Sequence, residues 1–458
     1  MRNNQVKNPQ ILLTGATGYI GGRFLRVLQD QGLPVRCLAR KPEFIKSRLK
    51  ESSEVVAGDL LDITSLNKAL EGIHTAYYLV HSMDSSKKYG DMDRRAAQNF
   101  MDAGLKQGVR RIIYLGGLGD PDDNLSDHLR SRQEVGQILR SSPDIITIEL
   151  RASIIIGSGS LSFELIRALT EKLPVMIMPR WVNTLAQPIA IDDVLAYLFR
   201  SIDLNVESST VIEIGGSDQL SYHDLMREYS RQRQLRRLMI PVPVLTPYLS
   251  SLWLGLVTPV FARIGRQLVG SLKNPTIVTE VSAHAFFSIK PMSAAEAIDS
   301  ALQNEAMEYA ETRWSDSVSS AGINDTMYGG KWIGSRLFDM RERTIACAAE
   351  AAFQPIAEIG GSNGWYAWNY LWRIRGLMDF LSGGVGMRRG RPENRTLMPG
   401  DPLDFWRVEI FEPPYRMRLH AEMKLPGQAW LEFEVIPDDK TGMVTIRQTA
   451  VFYPRGLG

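Results

Sequence analysis

Three glycines at intervals of three residues, Gly15, Gly18 and Gly21, follow a β-rich run at Ile11–Thr14 and precede a helix-like segment. In such a place the first glycine permits a tight turn, the second lets the backbone approach a pyrophosphate, and the third permits close packing of helix and strand. The helix N-terminus adds N–H donors and the positive end of the helix dipole. The spacing therefore predicts a dinucleotide site near the start of the chain.

The second β-rich run carries the residues that would select the nucleotide. It reads VRCLARK from Val35 to Lys41, with no carboxylate and with Arg40 near its end. A carboxylate there would bind a ribose 2′-hydroxyl and indicate NAD(H), whereas a guanidinium matches a 2′-phosphate in bidentate fashion. The sequence therefore predicts NADP(H), and Arg36 is interpreted as a solvated basic residue.

Two further residues stand where parallel strands end. Asp59 follows the third β-rich run, and its carboxylate could accept a hydrogen bond from the adenine amino group or cap the helix that follows. His81 follows the fourth run and could line the nicotinamide end of the site, because ligands collect at the carboxyl ends of such strands.

Strand-like and helix-like segments alternate through the first 150 residues, a pattern typical of a parallel sheet with helices on both faces. From about residue 330 the pattern changes to a strand, helical segments and a meander, which favours an antiparallel sheet. Of the 9 tryptophans, most fall in this later region. We therefore predict a doubly wound parallel α/β domain at 1–310 with a substrate lobe mainly within 155–310, a linker at 311–330 and an antiparallel α+β domain at 331–458.

Composition excludes several classes of protein. The 458 residues carry 53 Lys+Arg against 51 Asp+Glu, so no broad basic surface for nucleic acid is expected. The 2 cysteines, Cys37 and Cys347, are too few for a disulfide framework or a cysteine-rich zinc site, and the histidines show no metal-ligand spacing. The polar N-terminus has no apolar secretory segment. We therefore expect a cytoplasmic protein without a metal, and the oligomeric state is not predicted.

One stretch could contact a membrane. Pro241–Ala262 is 22 residues long and carries no charge, but it contains four prolines and is flanked by basic residues on both sides. A membrane-spanning helix, a buried helix or lid over an apolar site, and shallow attachment to a membrane surface all fit this pattern. The buried helix or lid is the interpretation that the prolines favour.

The first 300 residues resemble an atypical, extended-type short-chain dehydrogenase/reductase. The resemblance rests on TGATGYIGG (14–22), VRCLAR (35–40), GDL (58–60), AYYLVHSM (76–83), RRIIYLGGLGD (110–120), ELRASIIIG (149–157) and QPIAIDDVLAYL (187–198). It implies a Rossmann-type core with a small substrate lobe. Together with the motifs above, it places the cofactor against Gly15, Ala16, Thr17, Gly18, Tyr19, Ile20, Gly21, Arg40, Asp59, Leu60, Val80 and His81.

The C-terminal region resembles an uncharacterised domain that is often fused behind such reductases, on AEMKLPGQAWLEFEV (421–435) and RQTAVFYPRGLG (447–458). Its order of elements is similar to the START-like helix-grip fold, which encloses apolar ligands. That fold normally closes with a long C-terminal helix, which this sequence does not show. The aromatic stretch at Trp365–Trp372 is interpreted as a packed core or interdomain face, with an apolar ligand pocket as the alternative.

The catalytic pattern of the reductases is altered in this chain. The family carries a Tyr-x-x-x-Lys pair one helical turn apart, and the corresponding positions here are His128 and Arg132. A catalytic Ser usually follows the preceding strand, where this chain has Gly116 and Gly117.

Three hypotheses for the chemistry of this site follow from the altered pattern. His128, which titrates near 6.5 when unperturbed, could act as general acid or base while Arg132 holds the ribose. Another hydroxyl, of Tyr114 or Tyr89, could supply the proton. The site could also bind NADP(H) without turnover.

These observations predict an NADP(H)-binding oxidoreductase that transfers a hydride to a carbonyl or enone of a small apolar substrate. The alternative is a catalytically inactive NADP(H)-binding sensor or scaffold, similar to the nitrogen-regulator-like members of the superfamily, with a lipid- or quinone-binding second domain.

Overall fold

The structure is a computed structural model, and it describes residues 11–46, 48–80, 87–120, 125–242, 274–279, 283–307, 331–333, 336–366, 369–381, 390–391, 397–423, 427–438 and 442–454. The chain divides into two compact units, Met1–Asp325 and Thr326–Gly458. The predicted linker at 311–330, most of the uncharged stretch at 241–262 and His81 lie outside the described residues.

A parallel sheet of seven strands forms the centre of the N-terminal unit, in the order β11-β6-β5-β4-β1-β2-β3. Its strands in chain order are β1 (Ile11–Thr14), β2 (Val35–Ala39), β3 (Glu54–Ala57), β4 (Thr75–Tyr78), β5 (Arg111–Gly117), β6 (Ile146–Ala152) and β11 (Thr210–Ile214). The strand order reverses beside β1. This reversal places the carboxyl ends of β1 and β4 next to each other, which is the position where doubly wound folds bind ligands.

Helices cover both faces of this sheet, so its central strands β1, β4 and β5 are buried on both sides. The helices of the unit are α1 (Tyr19–Asp30), α2 (Glu43–Lys46), α3 (Ile63–Leu70), α4 (Lys87–Gln107), α5 (Asp127–Leu139), α6 (Leu161–Lys172), α7 (Ile191–Arg200), α8 (Tyr222–Gln232) and α9 (Ala294–Met307). One apolar core contains side chains of α1, α6 and α7, and a second contains side chains of α3, α4 and α5. Two cores on opposite faces confirm the predicted doubly wound α/β fold.

Three short strand pairs follow β6 in the region that is predicted to form the substrate lobe. The parallel pairs are β7 (Ile155–Ile156) with β10 (Ile189–Ala190) and β8 (Val175–Pro179) with β13 (Leu238–Val242), and the antiparallel pair is β9 (Leu185–Ala186) with β12 (Leu220–Ser221). Helix α8 packs against α6, and α9 packs against α8. No helix in the described ranges is long and apolar enough to cross a membrane.

The C-terminal unit contains an antiparallel sheet in the order β14-β15-β20-β19-β18-β17-β16. Its elements are β14 (Lys331–Ile333), β15 (Arg336–Ile345), α10 (Ala349–Ala357), α11 (Asn369–Leu381), β16 (Pro402–Leu403), β17 (Trp406–Glu412), β18 (Arg416–Ala421), β19 (Gly427–Asp438) and β20 (Met443–Pro454). Helix α10 packs on one face of this sheet, and the apolar core lies between them. The predicted change from a parallel to an antiparallel architecture is therefore confirmed.

The aromatic stretch of the second unit divides between core and surface. Trp365 is buried, contacts Trp372 with ring centroids 5.4 Å apart, and donates from its indole N–H to the Asp404 carboxylate at 2.8 Å. Tyr366 and Tyr370 are exposed. Part of the stretch therefore packs the core, as the spacing suggested, and part of it stands on the surface.

A buried carboxylate fixes α5 on β6. Glu149 is fully buried, and its two oxygens lie 2.8 Å from Nε of Arg140 and 2.7 Å from Nε of Arg151. The carboxylate faces Gly136 of α5, where an added Cβ would lie 2.4 Å from Oε2 of Glu149. Because two ion pairs hold the carboxylate in place, it cannot move aside to make room for a side chain.

We predict that Gly136→Ala lowers the free energy of unfolding of the N-terminal unit by about 1–3 kcal/mol, the usual cost of overpacking. Gly90→Ala in α4 is the matched control, because the nearest atom to its Cβ is the flexible Arg94 Nη1 at 3.8 Å. Since 3.8 Å is an ordinary van der Waals distance, Arg94 does not have to move, and alanine is expected to be neutral or to stabilise by up to about 1 kcal/mol. Urea unfolding of the full chain measures both variants, and equal effects would contradict the packing described for Gly136.

Candidate nucleotide-binding site

The glycine loop connects β1 to α1 at the carboxyl edge of the sheet. Gly15 has a φ of 73°, and a Cβ there would lie 2.5 Å from the carbonyl oxygen of Leu79, which follows β4. A Cβ on Gly21 would lie 2.2 Å from the carbonyl oxygen of Gly15. The Gly18 N–H donates to the Gly15 carbonyl at 2.8 Å and closes the turn. The contacts at Gly15 and Gly21 therefore leave no room for a side chain, which agrees with the predicted roles of these glycines in the turn and in helix–strand packing.

The first turn of α1 leaves backbone donors without a side-chain cap. Gly18 is the N-cap residue, and no side chain caps the helix at this position. N-terminal N–H groups of a helix and its dipole together favour an anion. The side chain of Tyr19 is buried and points away to Gly157, whose added Cβ would meet the Tyr19 hydroxyl at 2.3 Å. Any contact of Tyr19 with a cofactor would therefore use its backbone.

The Thr14 side chain connects the end of β1 to the end of β4. Its hydroxyl donates to the Tyr77 carbonyl at 2.9 Å and accepts from the Leu79 N–H at 3.1 Å. Val80 comes next, and its Cγ2 would lie 3.3 Å from a Cβ on Gly15. The structure therefore brings Gly15 and Val80 together, while Ala16 and Thr17 lie in the same connection and Ile20 lies in the first turn of α1.

The two arginines of β2 have different surroundings. Arg36 contacts Glu54 at 2.6 Å and donates to the carbonyls of Ala69 and Glu71, so it joins β2 to neighbouring elements and is not a solvated residue. Arg40 is exposed at the end of β2, and in the described part of the chain it has neither a hydrogen bond nor an ion pair. Arg40 is thus the arginine of this strand that is available for a ligand.

Asp59 lies near Arg40 because the ends of β2 and β3 are adjacent. The Gly58 N–H donates to the Ala39 carbonyl at 3.1 Å. One Asp59 oxygen accepts from the Leu61 N–H at 2.9 Å. The interpretation of Asp59 as a helix cap is wrong, because Asp62 is the N-cap of α3 and accepts from two N–H groups of its first turn. Leu60 is buried beside it.

His128 lies in the first turn of α5, which Ser126 caps. Burial, with a smaller contribution from the positive charge of Arg132, lowers the pKa of His128 to about 3. The folded chain therefore holds the pKa of His128 well below its unperturbed value of 6.5. At neutral pH His128 is uncharged, so it can donate one hydrogen bond and accept another but holds no imidazolium proton.

Leu129 and Arg132 fill the space beside Gly117, so a side chain at position 117 would contact both of them. An added Cβ on Gly117 would lie 2.9 Å from Cδ2 of Leu129 and 3.1 Å from Cδ of Arg132. Tyr114 is buried, and its hydroxyl donates to the Arg132 carbonyl at 2.9 Å. Because burial also raises the pKa of Tyr114, it is an unsuitable proton donor for a substrate. The Tyr89 side chain is outside the described residues.

Sequence reasoning missed the cluster of Glu149 with Arg140 and Arg151. The available signal was a pair of charged residues in the otherwise apolar run of β6, since central parallel strands are usually apolar throughout. Across the described ranges, no group of three or more His, Cys, Asp or Glu side chains is arranged to hold a metal ion.

Two families match separate parts of the chain. The family described as "NAD(P)H-binding" matches residues 15–145, which contain the glycine loop, Arg40, Asp59, His128 and Arg132. The family described as "Protein of unknown function (DUF2867)" matches residues 333–458. The second match begins close to the start of the C-terminal unit at Thr326.

Curated relatives are similar to the nucleotide-binding part. Sterol demethylase protein B of Methylococcus capsulatus is 30% identical over 112 residues, which are 24% of this chain and 34% of the relative. Cinnamoyl-CoA reductase 1 of Oryza sativa subsp. japonica is 26% identical over 124 residues, 26% of this chain and 37% of the relative. The chain spans about a third of the length of these relatives.

A solved structure shares the fold of most of the N-terminal unit. Triphenylmethane reductase from Citrobacter sp., complexed with NADP(H), superposes with a TM-score of 0.51 at 17% identity over 64% of this chain and 99% of that chain. Fold, glycine loop and family match agree with one another. The N-terminal unit therefore has a Rossmann-type fold, and its residues 15–145 are similar to the NAD(P)H-binding family.

Proposed function

We propose that the protein is an NADP(H)-dependent reductase that acts on a carbonyl or enone of an apolar substrate. The observation that carries the cofactor choice is Arg40, exposed and without a hydrogen bond or ion pair in the described part of the chain. A guanidinium binds a 2′-phosphate through two parallel hydrogen bonds, and β2 offers no carboxylate for a 2′-hydroxyl.

The loop fits the rest of the dinucleotide. A side chain at position 15 or 21 would meet backbone atoms, so the loop stays open to a pyrophosphate, and uncapped amides of α1 stand beside it. Asp59 has one oxygen bonded to the Leu61 N–H and the other available for the adenine amino group. When bound, the nicotinamide supplies a hydride from its C4.

His128 and Arg132 supply the polar groups for the substrate oxygen and the ribose in this proposal. With a pKa of about 3, His128 is neutral and donates a hydrogen bond from its ring N–H to the carbonyl oxygen, which gains charge as the hydride arrives. Arg132 takes the position of the family's lysine and holds the ribose. The proton that completes the alcohol comes from water, because no imidazolium is populated at neutral pH.

Exposed apolar residues in the substrate lobe support an apolar substrate. Val175 and Ile177 of β8 stand opposite Leu238 and Ile240 of β13, and all four side chains are exposed on one face of this strand pair. The chain continues from β13 into the uncharged stretch at 241–262. The same surface suits shallow attachment to a membrane, which is the partner that the uncharged stretch suggested.

A sensor or scaffold is the second candidate, and the altered catalytic pair is the observation that favours it. Neither the hydroxyl of Tyr114 nor a serine after β5 is available to a substrate. In this case the C-terminal domain would bind the effector, an apolar ligand such as a lipid or quinone. The exposed face of α11, with Tyr370, Ile374 and Met378, supports that role.

Arg40→Asp is expected to weaken NADP⁺ binding by about tenfold to a hundredfold, through loss of a charge-assisted hydrogen bond, and to affect NAD⁺ much less. Titration calorimetry of the full chain measures both constants. Arg110→Gln is the control, because Arg110 is exposed before β5 at the opposite edge of the sheet. Equal weakening of NADP⁺ and NAD⁺ by Arg40→Asp would remove Arg40 from the phosphate site.

NADPH oxidation is expected with at least one member of a panel of quinones, enones and aldehydes, and His128→Ala should reduce its rate by about tenfold or more. His284→Gln, at an exposed histidine of the same unit, should leave the rate unchanged. Tight binding of NADPH without turnover of any panel member would favour the sensor.

The depressed pKa of His128 predicts the pH dependence of stability. The folded chain takes up this proton near pH 3 and an unfolded chain near 6.5, so the unfolded state binds more protons as the pH falls below 6.5. Relative to His128→Gln, the wild type should lose unfolding free energy from pH 6.5 downward and differ by a constant amount above it. Urea unfolding between pH 8 and 5 measures this, and parallel curves would show that folding does not lower the pKa of His128.

A further inference from the structure

The guanidinium of Arg151 is oriented by the Glu149 carboxylate, and its remaining N–H donors are unused. Its side chain is 11% exposed, and its Nε lies 2.7 Å from the fully buried Glu149 carboxylate. Across the described residues, its two terminal nitrogens have no hydrogen-bond or ion-pair partner. A mostly buried cation with unused donors is costly unless a ligand or water satisfies them.

Arg151 stands at the carboxyl end of β6, where the fold binds ligands. In the sheet it lies between Gly116 of β5 and Glu213 of β11. Gly116 has no side chain, and a Cβ there would lie 3.7 Å from Cγ of Arg151. The Glu213 carboxylate accepts from the Thr279 N–H at 2.7 Å and forms no ion pair with Arg151. Neither Gly116 nor Glu213 therefore binds the terminal nitrogens of the Arg151 guanidinium.

Arg151 shares its buried carboxylate with a second arginine. Burial raises the pKa of Tyr114, the charges of Glu149 and Asp93 add to that rise, and the charges of Arg132 and Arg151 oppose it, so carboxylates and guanidinium groups both lie near this hydroxyl. Glu149 is shared between Arg140 and Arg151. The single charge of this buried carboxylate is shared by two guanidinium groups, so it does not neutralise both of them, and charge interactions here are stronger than in water.

We propose that Arg151 binds an anionic oxygen group, a carboxylate or a phosphate, carried by the substrate. The planar guanidinium, held at Nε, presents its outer nitrogens to two oxygens of such a group. This inference rests on the proposed reductase function and narrows it: the substrate is an apolar carbonyl compound with an acidic end.

The test measures anion binding without turnover. Benzoate and inorganic phosphate are titrated by calorimetry into the NADP⁺-loaded full chain, one as carboxylate and one as phosphate. Arg151→Gln should weaken whichever anion binds by about tenfold or more, and Arg151→Lys should keep part of the affinity because it keeps the charge. NADP⁺ affinity should stay within about twofold in every variant, as expected for a site outside the cofactor contacts.

Arg140→Gln is the matched control, because it removes the other arginine from the same carboxylate. It should lose less anion affinity than Arg151→Gln does, because Arg140 acts on Arg151 only through the shared Glu149 carboxylate. The proposal is overturned if Arg151→Gln binds the anion as the wild type does, if Arg140→Gln loses as much affinity, or if the wild type binds neither anion at millimolar concentration. A further outcome separates the two proposals. If an anion binds through Arg151 but no carbonyl compound is reduced by NADPH, the reductase function is contradicted and the anion site at Arg151 is still supported.

Discussion

The start of the first helix approaches the end of the first strand so closely that position 21 has no room for a side chain. A Cβ on Gly21 would lie 2.2 Å from the Gly15 carbonyl, and one on Gly15 would lie 2.5 Å from the Leu79 carbonyl. These two contacts place the amides of α1 at the carboxyl edge of the sheet. The neighbouring strand β2 then brings Arg40 to the same edge, and β3 brings Asp59. The dinucleotide site is a consequence of this packing.

A second group of glycines makes room for side chains at β5 and α5. Leu129 and Arg132 occupy the space that a Cβ on Gly117 would need, and the Glu149 carboxylate occupies the space that a Cβ on Gly136 would need. A serine at position 117 would crowd Arg132, so glycine at position 117 and arginine at position 132 are linked by packing. In the proposed reductase, His128 with its lowered pKa and the guanidinium groups of Arg132 and Arg151 take the place of the hydroxyl groups that the resemblance implies.

Much of the fold could be predicted from the sequence because its signals are local. The strands of both sheets follow from hydrophobic periodicity, and the glycine loop from spacing between a strand and a helix. The surroundings of single side chains could not be predicted in this way. Glu149 meets Arg140 and Arg151 only after α5 packs on β6, and the pKa of His128 depends on burial that no local pattern encodes. Asp59 and Asp62 are equivalent caps in sequence, and the position of the helix start selects Asp62.

The central claim is that the exposed guanidinium at the end of β2 selects a phosphorylated dinucleotide. The most direct test is calorimetric titration of the wild-type full chain with NADPH and NADH under identical conditions. The account predicts that NADPH binds at least about tenfold more tightly, which corresponds to about 1.4 kcal/mol. Equal affinities, or tighter binding of NADH, would contradict it.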